Sequence, residues 1–426
     1  MKKNLFFFTL FFVFAFSVAQ NPIITKWNVP FSTTFIGIKI PYVANDFSYQ
    51  YVKADNPAIF GQGSGSGSGK DISISLPEIG EYIVYIYPTN YFRFAFISLN
   101  IAECEKFILL SQWGDANFFG SVYGMFTGCS KLQITATDIP NFSNVTSMES
   151  MFAGCEAITT VPNMNSWDVS NVTTMSSMFS NATNFNQFIG NWNTSKVTDM
   201  NSMFSGAKTF NQNIGNWDVS SVWDMKYMFW NAINFNQNIG NWKVSKADMK
   251  YIFTNAKAFN QNLGSWQLKD GIFIGLDNSG MDCQNYSKTL YGWTKNVNTG
   301  SVVKLGATGL KYGIDAQPYI DKLKQLKGWT IIGDIYDSNC TVQLATVENE
   351  IDNFFISPNP TNGILNVRSK IKLEITINNS LGQILKKENI QKGDNLIDIS
   401  TLVNGVYFIN GVDTKGNHFT EKIIKN

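Results

Sequence analysis

The sequence predicts an α+β repeat solenoid of about six 25-residue coils, flanked by a β-rich domain before it and a β-sandwich after it. Three observations predict this. The octapeptide FNQNIGNW stands at 210–217 and again, letter for letter, at 235–242, with near copies beginning at Phe185 and Phe259. A Met-Phe pair or its substitute recurs with Phe126, Phe152, Phe179, Phe204, Phe229 and Phe253, at steps of 26, 27, 25, 25 and 24. Outside the repeats, apolar and polar residues alternate with the period of two that marks half-buried strands.

The chain begins MKKNLFFFTLFFVFAFSVAQ. Lys2 and Lys3 form a basic start, 5–18 an apolar run, and Ser17-Val18-Ala19 a small-x-small cleavage site, so residues 1–19 read as a secretory signal peptide and the protein as exported. The apolar run is too short to span a bilayer comfortably, and the mature protein is expected to hold no integral membrane segment. With 33 basic against 32 acidic side chains, net charge implies no nucleic-acid partner.

Residues 20–110 read as a β-rich capping domain, with FIGIKI, DISISL, EYIVYIYP and RFAFISLNI as strands. The run GQGSGSGSG at 61–69 reads as a flexible loop between two of them.

Residues 111–266 are the repeats, a self-similar period that signals stacked units. Each unit is too short for a propeller blade. Met175, Met178, Phe179 and Ala182 fall at i, i+3, i+4 and i+7, one face of a helix, while Val169 and Val172 suit a short strand and turn. The unit is therefore expected to be one strand and one helix, a coil of the leucine-rich-repeat type. Stacked coils make ladders of Trp167, Trp192, Trp217, Trp242 and Trp266, and of Phe179, Phe204, Phe229 and Phe253. The Asn-Gln pairs at 186–187, 211–212, 236–237 and 260–261 are expected to bridge successive coils through their amides. Gly190, Gly215, Gly240 and Gly264 are expected to supply unusual backbone angles at a corner. The tryptophan ladder reads as core, with a sugar-stacking platform as the alternative. The aspartates, including Asp168, Asp199, Asp218, Asp224 and Asp248, recur singly, and no metal is expected.

Residues 267–340 read as a C-terminal cap with two helices, over 282–291 and 318–327, Gly292 and Gly328 following their last turns. A linker at 341–352 leads to residues 353–426, where seven or so short strands alternate with Asn-Pro, Asn-Gly, Leu-Gly and Lys-Gly turns, an antiparallel sandwich. Of five cysteines at least one is unpaired within the chain, and Cys129 and Cys155 occupy the slot of Ala182 in adjacent coils, either bridged or as two buried thiols.

The repeat template resembles the 25-residue repeats of BspA-like leucine-rich-repeat surface proteins of bacteria, and SGMDCQNYSKTLYGW, KLGATGLKY and KGWTIIGD are similar to the segment that closes such arrays in exported proteins of the Bacteroidetes. Residues 353–426 resemble the immunoglobulin-like C-terminal sorting domain of type IX secretion substrates, on Pro358-Asn359-Pro360, Gly363, Leu381-Gly382, Gly405-Val406-Tyr407 and Glu421-Lys422. The resemblance implies the type IX secretion machinery as a partner and a secreted or surface-attached product.

The one histidine, His418, falls in the sorting region, which removes His-dependent triads from the repeats. There is no GxSxG, Walker loop or dinucleotide fingerprint, so no enzyme activity and no cofactor are expected. The expected function is a non-enzymatic binding or adhesion module for an unidentified protein or glycan, the alternative being a structural or glycan-binding component of a surface layer or uptake complex. Tyr227, Trp230 and Tyr251 depart from the repeat template and are the expected ligand contacts, with packing on the coil as the competing reading.

Overall fold

The computed structural model describes residues 21–31, 35–41, 46–65, 71–89, 92, 94–342, 354–357, 361–369, 372–379, 382–413 and 418–426. The signal segment, linker residues 343–352 and the Pro358-Asn359-Pro360 motif lie outside them. The chain forms two units, one running to Tyr312 and taking in Tyr319–Tyr336, the other taking in Gly313–Pro318 and Asp337–Asn426. No helix among the described residues is long and apolar enough to cross a membrane.

The first unit begins with β1 (Ile23–Val29), β2 (Gly37–Ile40), β3 (Phe47–Lys53), β4 (Phe60–Gly65), β5 (Ile72–Ser75) and β6 (Gly80–Pro88), then a short helix α1 (Ile101–Cys104) and β7 (Phe107–Gln112). After β8 (Asn117–Ser121) and β9 (Gln133–Ile134), a six-stranded sheet is complete in the order β4-β3-β6-β1-β7-β9, with β2 and β5 paired separately. β1 and β6 alternate buried and accessible residues, as period-two patterning requires.

Two expectations for this region are corrected. The first half of the Gly-Ser run is strand β4, not loop: Gly61, Gly63 and Gly65 lie opposite Tyr51, Tyr49 and Phe47. A Cβ at Gly61 or Gly63 would fall 2.5 Å from the opposing tyrosine, so the rings cover glycines and the glycines make room for the rings. The described residues of RFAFISLNI form no strand. Phe92, Phe94 and Phe96 are all buried in an aromatic cluster with Phe107 and Phe126, and alternation here comes from ring packing along an irregular chain.

The repeats contradict the expected α+β leucine-rich-repeat solenoid. Beyond β10 (Asn141–Ser147), which pairs in parallel with β8, the coils hold turns, single bridges and no α-helix up to residue 272. The predicted helix face is buried as expected, Met175, Met178, Phe179 and Ala182 all being inaccessible, but the backbone that carries it is not helical. Each unit places two residues four apart in the left-handed region: Ser177 and Asn181, Ser202 and Gly206, Tyr227 and Asn231, Tyr251 and Asn255. A right-handed helix cannot pass through such residues. Alternate N–H groups therefore leave the coil: Met175, Ser177, Phe179 and Asn181 donate to the carbonyls of Asp199, Asn201, Met203 and Ser205 in the next one, at 2.7–2.9 Å. Single parallel bridges run Thr174–Asp199–Asp224–Asp248.

The core of the stack is aromatic. Phe179, Phe204, Phe229 and Phe253 stack at 5.5–5.7 Å, each also facing its own coil's second phenylalanine, as Phe204 faces Phe210 at 4.0 Å. The indole N–H groups of Trp192, Trp217, Trp242 and Trp266 donate to the carbonyls of Met164, Ile189, Ile214 and Ile239 in the preceding coil, at 2.9–3.3 Å. On another corner the asparagine ladder forms. Asn236 Oδ1 accepts the Asn260 N–H and the Gln261 amide, repeating what Asn211 does for Asn236 and Gln237. The corner glycines act differently from expectation. Gly190 and Gly215 are not left-handed; a Cβ there would fall 2.5 and 2.6 Å from the carbonyls of Asn213 and Asn238, so close approach of the next coil excludes a side chain.

Helices enter only at the end of the stack. Strands β11 (Phe273–Gly275), β12 (Lys304–Gly306) and β14 (Thr330–Ile332) form a parallel sheet, with α2 (Cys283–Lys295) and α3 (Gln317–Lys327) as crossovers and a small pair of β13 (Lys311–Tyr312) with β15 (Ile335–Tyr336). Asp282 caps α2 by accepting the Asn285 N–H. Gly292 lies inside α2 rather than after it.

In the second unit, β16 (Phe354–Ser357), β17 (Ile364–Ser369) and β20 (Gly393–Asp398) form one antiparallel sheet, and β18 (Leu373–Asn379), β19 (Ile384–Ile390), β21 (Gly405–Asp413) and β22 (His418–Lys425) another. Leu365 and Val367 from the first and Ile375, Ile377 and Ile409 from the second belong to one buried cluster, a two-layer core.

Candidate binding surface

The tryptophan and phenylalanine ladders are buried throughout and face no ligand. The outer side of the turn segments is where successive coils differ. Four positions carry Thr173, Ser176, Ser177 and Ser180 in one coil, Thr198, Asn201, Ser202 and Ser205 in the next, and then Trp223, Lys226, Tyr227 and Trp230. The following coil keeps Lys250 and Tyr251.

These replacements discard features that favour the fold. The Thr173 and Thr198 hydroxyls each donate to the carbonyl of the threonine one coil back, at 3.0 and 3.1 Å; Trp223 occupies that slot without a hydroxyl. Tyr227 and Tyr251 take φ values of 56° and 57° where earlier coils place serine. Bulky residues are rare in that region, at a cost of about 1–3 kcal/mol. Trp223 is 55% exposed and Trp230 37% exposed, large values for indoles.

Of the three expected contacts, Tyr227 and Tyr251 meet, their ring centroids 5.3 Å apart, and Phe273 continues the row at 5.1 Å. Lys250 Nζ lies 5.3 Å over the Tyr251 ring, and Lys304 Nζ 5.8 Å over Phe273. Trp230 projects beside Tyr227, whose carbonyl accepts its N–H. Sequence reasoning missed Trp223, although its signal was present: SSVWDM puts a tryptophan where SKVTDM has the template threonine.

Alongside runs the aspartate row. Lys226 Nζ bonds Asp224 at 2.9 Å and reaches Asp248 at 3.5 Å, while the Asn201 amide donates to Asp224 at 3.2 Å. The hydrogen bond to Asp224 holds Lys226 above its ordinary pKa, and burial raises Asp199. Among the described residues no group of three or more His, Cys, Asp or Glu side chains is arranged to hold a metal ion. His418 opens β22, and its side chain is outside the described part.

In the sorting region, Gly363 is held at φ 128°, and a Cβ there would lie 2.8 Å from Ser400 Cα. The Tyr407 hydroxyl donates to the Val403 carbonyl at 2.6 Å. Gly405 is neither left-handed nor crowded.

Residues 356–426 match the secretion system C-terminal sorting domain. The chain is accordingly a type IX secretion substrate, delivered to the cell surface or secreted. Residues 120–213 and 186–273, overlapping stretches of the repeats, match a family described as Mycoplasma protein of unknown function, DUF285. No curated protein matches the chain.

Proposed function

We propose that the protein is a non-enzymatic binding or adhesion module displayed outside the cell, and that its ligand contacts the ridge of Trp223, Tyr227, Trp230 and Tyr251. One observation carries this reading. Two adjacent coils replace fold-favouring Thr and Ser by exposed or strained aromatics at three template positions, which the stack does not require. Tryptophan and tyrosine are among the side chains that most often anchor interfaces.

The test uses the full exported chain on arrays of matrix proteins and glycans, beside a Trp223→Ala/Trp230→Ala variant. Saturable binding that falls at least about tenfold in the variant, with unchanged thermal unfolding, supports the reading. Equal binding by both proteins moves the contact elsewhere. A protein ligand favours adhesion, whereas a glycan ligand favours a component of a surface layer or uptake complex.

A further inference from the structure

Three buried thiols gather where the N-terminal sheet meets the first coils, and nothing in the proposed binding function uses them. Cys104 ends α1, while Cys129 and Cys155 hold equivalent positions in the first two coils. The Cys104 thiol donates to the Phe96 carbonyl at 3.6 Å, and the Cys129 thiol is close enough for each to shift the other's ionisation. Cys104 Sγ also lies 4.0 Å from the position of a Cβ on Gly128, the neighbour of Cys129. The Cys155 thiol donates to the Phe126 carbonyl at 3.0 Å.

We propose that Cys104 and Cys129 are joined by a disulfide in the exported protein, leaving Cys155 as the chain's one free thiol. Two facts about the setting support the bond. The chain travels through a compartment that permits disulfides, and Cys283 and Cys340 are already disulfide-bonded. Geometry selects the pair. Equivalent residues of stacked parallel coils sit about 4.8 Å apart, wider than the ~3.8 Å Cβ separation of a disulfide, so Cys129 and Cys155 would have to pinch the stack. Cys104 approaches from α1, outside the stacked coils, and is free of that spacing.

The chemistry assigns roles. Hydrogen bonding by Cys129 lowers the Cys104 pKa, making it the readier thiolate, while burial raises Cys129 and Cys155. The oxidant is a dithiol–disulfide oxidoreductase in its disulfide form. Cys104 thiolate attacks one of its sulfurs, forming a mixed disulfide and releasing the other sulfur as a thiolate. Cys129, deprotonated, then attacks the Cys104 sulfur and expels the second. Two electrons and two protons pass from the cysteines to the oxidoreductase, which leaves as a dithiol. Both cysteines are inaccessible in the folded chain, so the exchange precedes closure of the first coil over α1.

The test counts thiols in the full chain recovered after export, denatured without reductant, and maps its peptides by mass spectrometry. The expected result is one reactive thiol per chain and a Cys104 peptide linked to a Cys129 peptide, two hydrogens lighter than their sum. Cys104→Ser is expected to give two thiols. Three thiols in the wild-type chain, or a Cys129–Cys155 linkage with Cys104 free, would overturn the proposal; the linked Cys283 and Cys340 peptides in the same map show that oxidation had taken place.

Discussion

Gly292, in the middle of α2, lies directly against Gly264 in the last coil. A Cβ on Gly292 would fall 2.5 Å from Gly264 Cα, and one on Gly264 would fall 3.0 Å from Gly292 Cα. The first crossover helix closes the stack through two residues without side chains.

Gly292→Ala therefore sets helix propensity against packing. Alanine favours a helix interior by about 1 kcal/mol. Here the added methyl has backbone on its far side, and overpacking of this kind costs roughly 1–3 kcal/mol. Thermal or denaturant unfolding should show net destabilisation. A gain near the propensity value would mean that the helix does not press on the coil.

Truncations in the middle coils should fall in a fixed order. Phe204→Ala removes a ring stacked on four others and should cost roughly 3–5 kcal/mol. Asn201→Ala should cost more than a surface change but far less than that. Its position is half-buried and its amide donates to Asp224. Lys208→Ala, on exposed surface, should lie within about 0.5 kcal/mol of zero. Denaturant midpoints at equal slope would check the order.

Asn236→Ala should cost about 1–3 kcal/mol, although the side chain is only half-buried. Its amide oxygen accepts both the Asn260 N–H and the Gln261 amide; when it goes, the Asn260 N–H loses that partner and the Gln261 amide keeps only the Asn236 main-chain carbonyl. Asn236→Gln, with the oxygen one bond too far out, should not restore stability. Full rescue by glutamine would show that the ladder depends on polarity rather than register.

Asp199→Asn should change the dependence of stability on pH. Burial raises the Asp199 pKa in the folded chain, so this group favours folding below its unfolded pKa and loses that contribution as pH rises through the folded value. Asparagine keeps an oxygen for the Asn201 N–H without the charge. The variant should melt higher than wild type near pH 7 and lose that advantage by about pH 3. Asp218 works oppositely. Its bonds to Ser220 lower its pKa, so its contribution is present above the unfolded pKa and fades as pH falls through the folded one. An Asp199→Asn protein less stable than wild type near neutrality would disprove the burial argument.

The sequence disclosed more about contacts between coils than about the path within one. Identical spacing demanded that Phe179 stack on Phe204 and that Asn186 meet Gln212, and both do. The helix expected over Met175–Ala182 failed because the i, i+3, i+4, i+7 pattern says which side chains point inward, while the backbone was decided by Ser177 and Asn181. Serine gives little warning of a left-handed conformation, and only the glycine and asparagine of the second position hinted at it. Corner glycines were legible as constraints but not as contacts, since the obstructing carbonyl belongs to another coil. Trp223 lies outside the periodic tryptophan ladder, so the spacing that marks the buried indoles carries no signal for this exposed one.

Every coil gives its outgoing N–H groups to acceptors that are the same in each copy, and takes the same kind from behind. A stack built this way has no preferred number of storeys. Insertion or loss of one whole unit between Phe185 and Trp242 leaves the main-chain bonds of each junction of the same kind. Each added unit would carry the far end outward by about one strand spacing, roughly 5 Å. The length of the stack can thus be adjusted by copying a segment, while the main-chain ladder between coils stays the same.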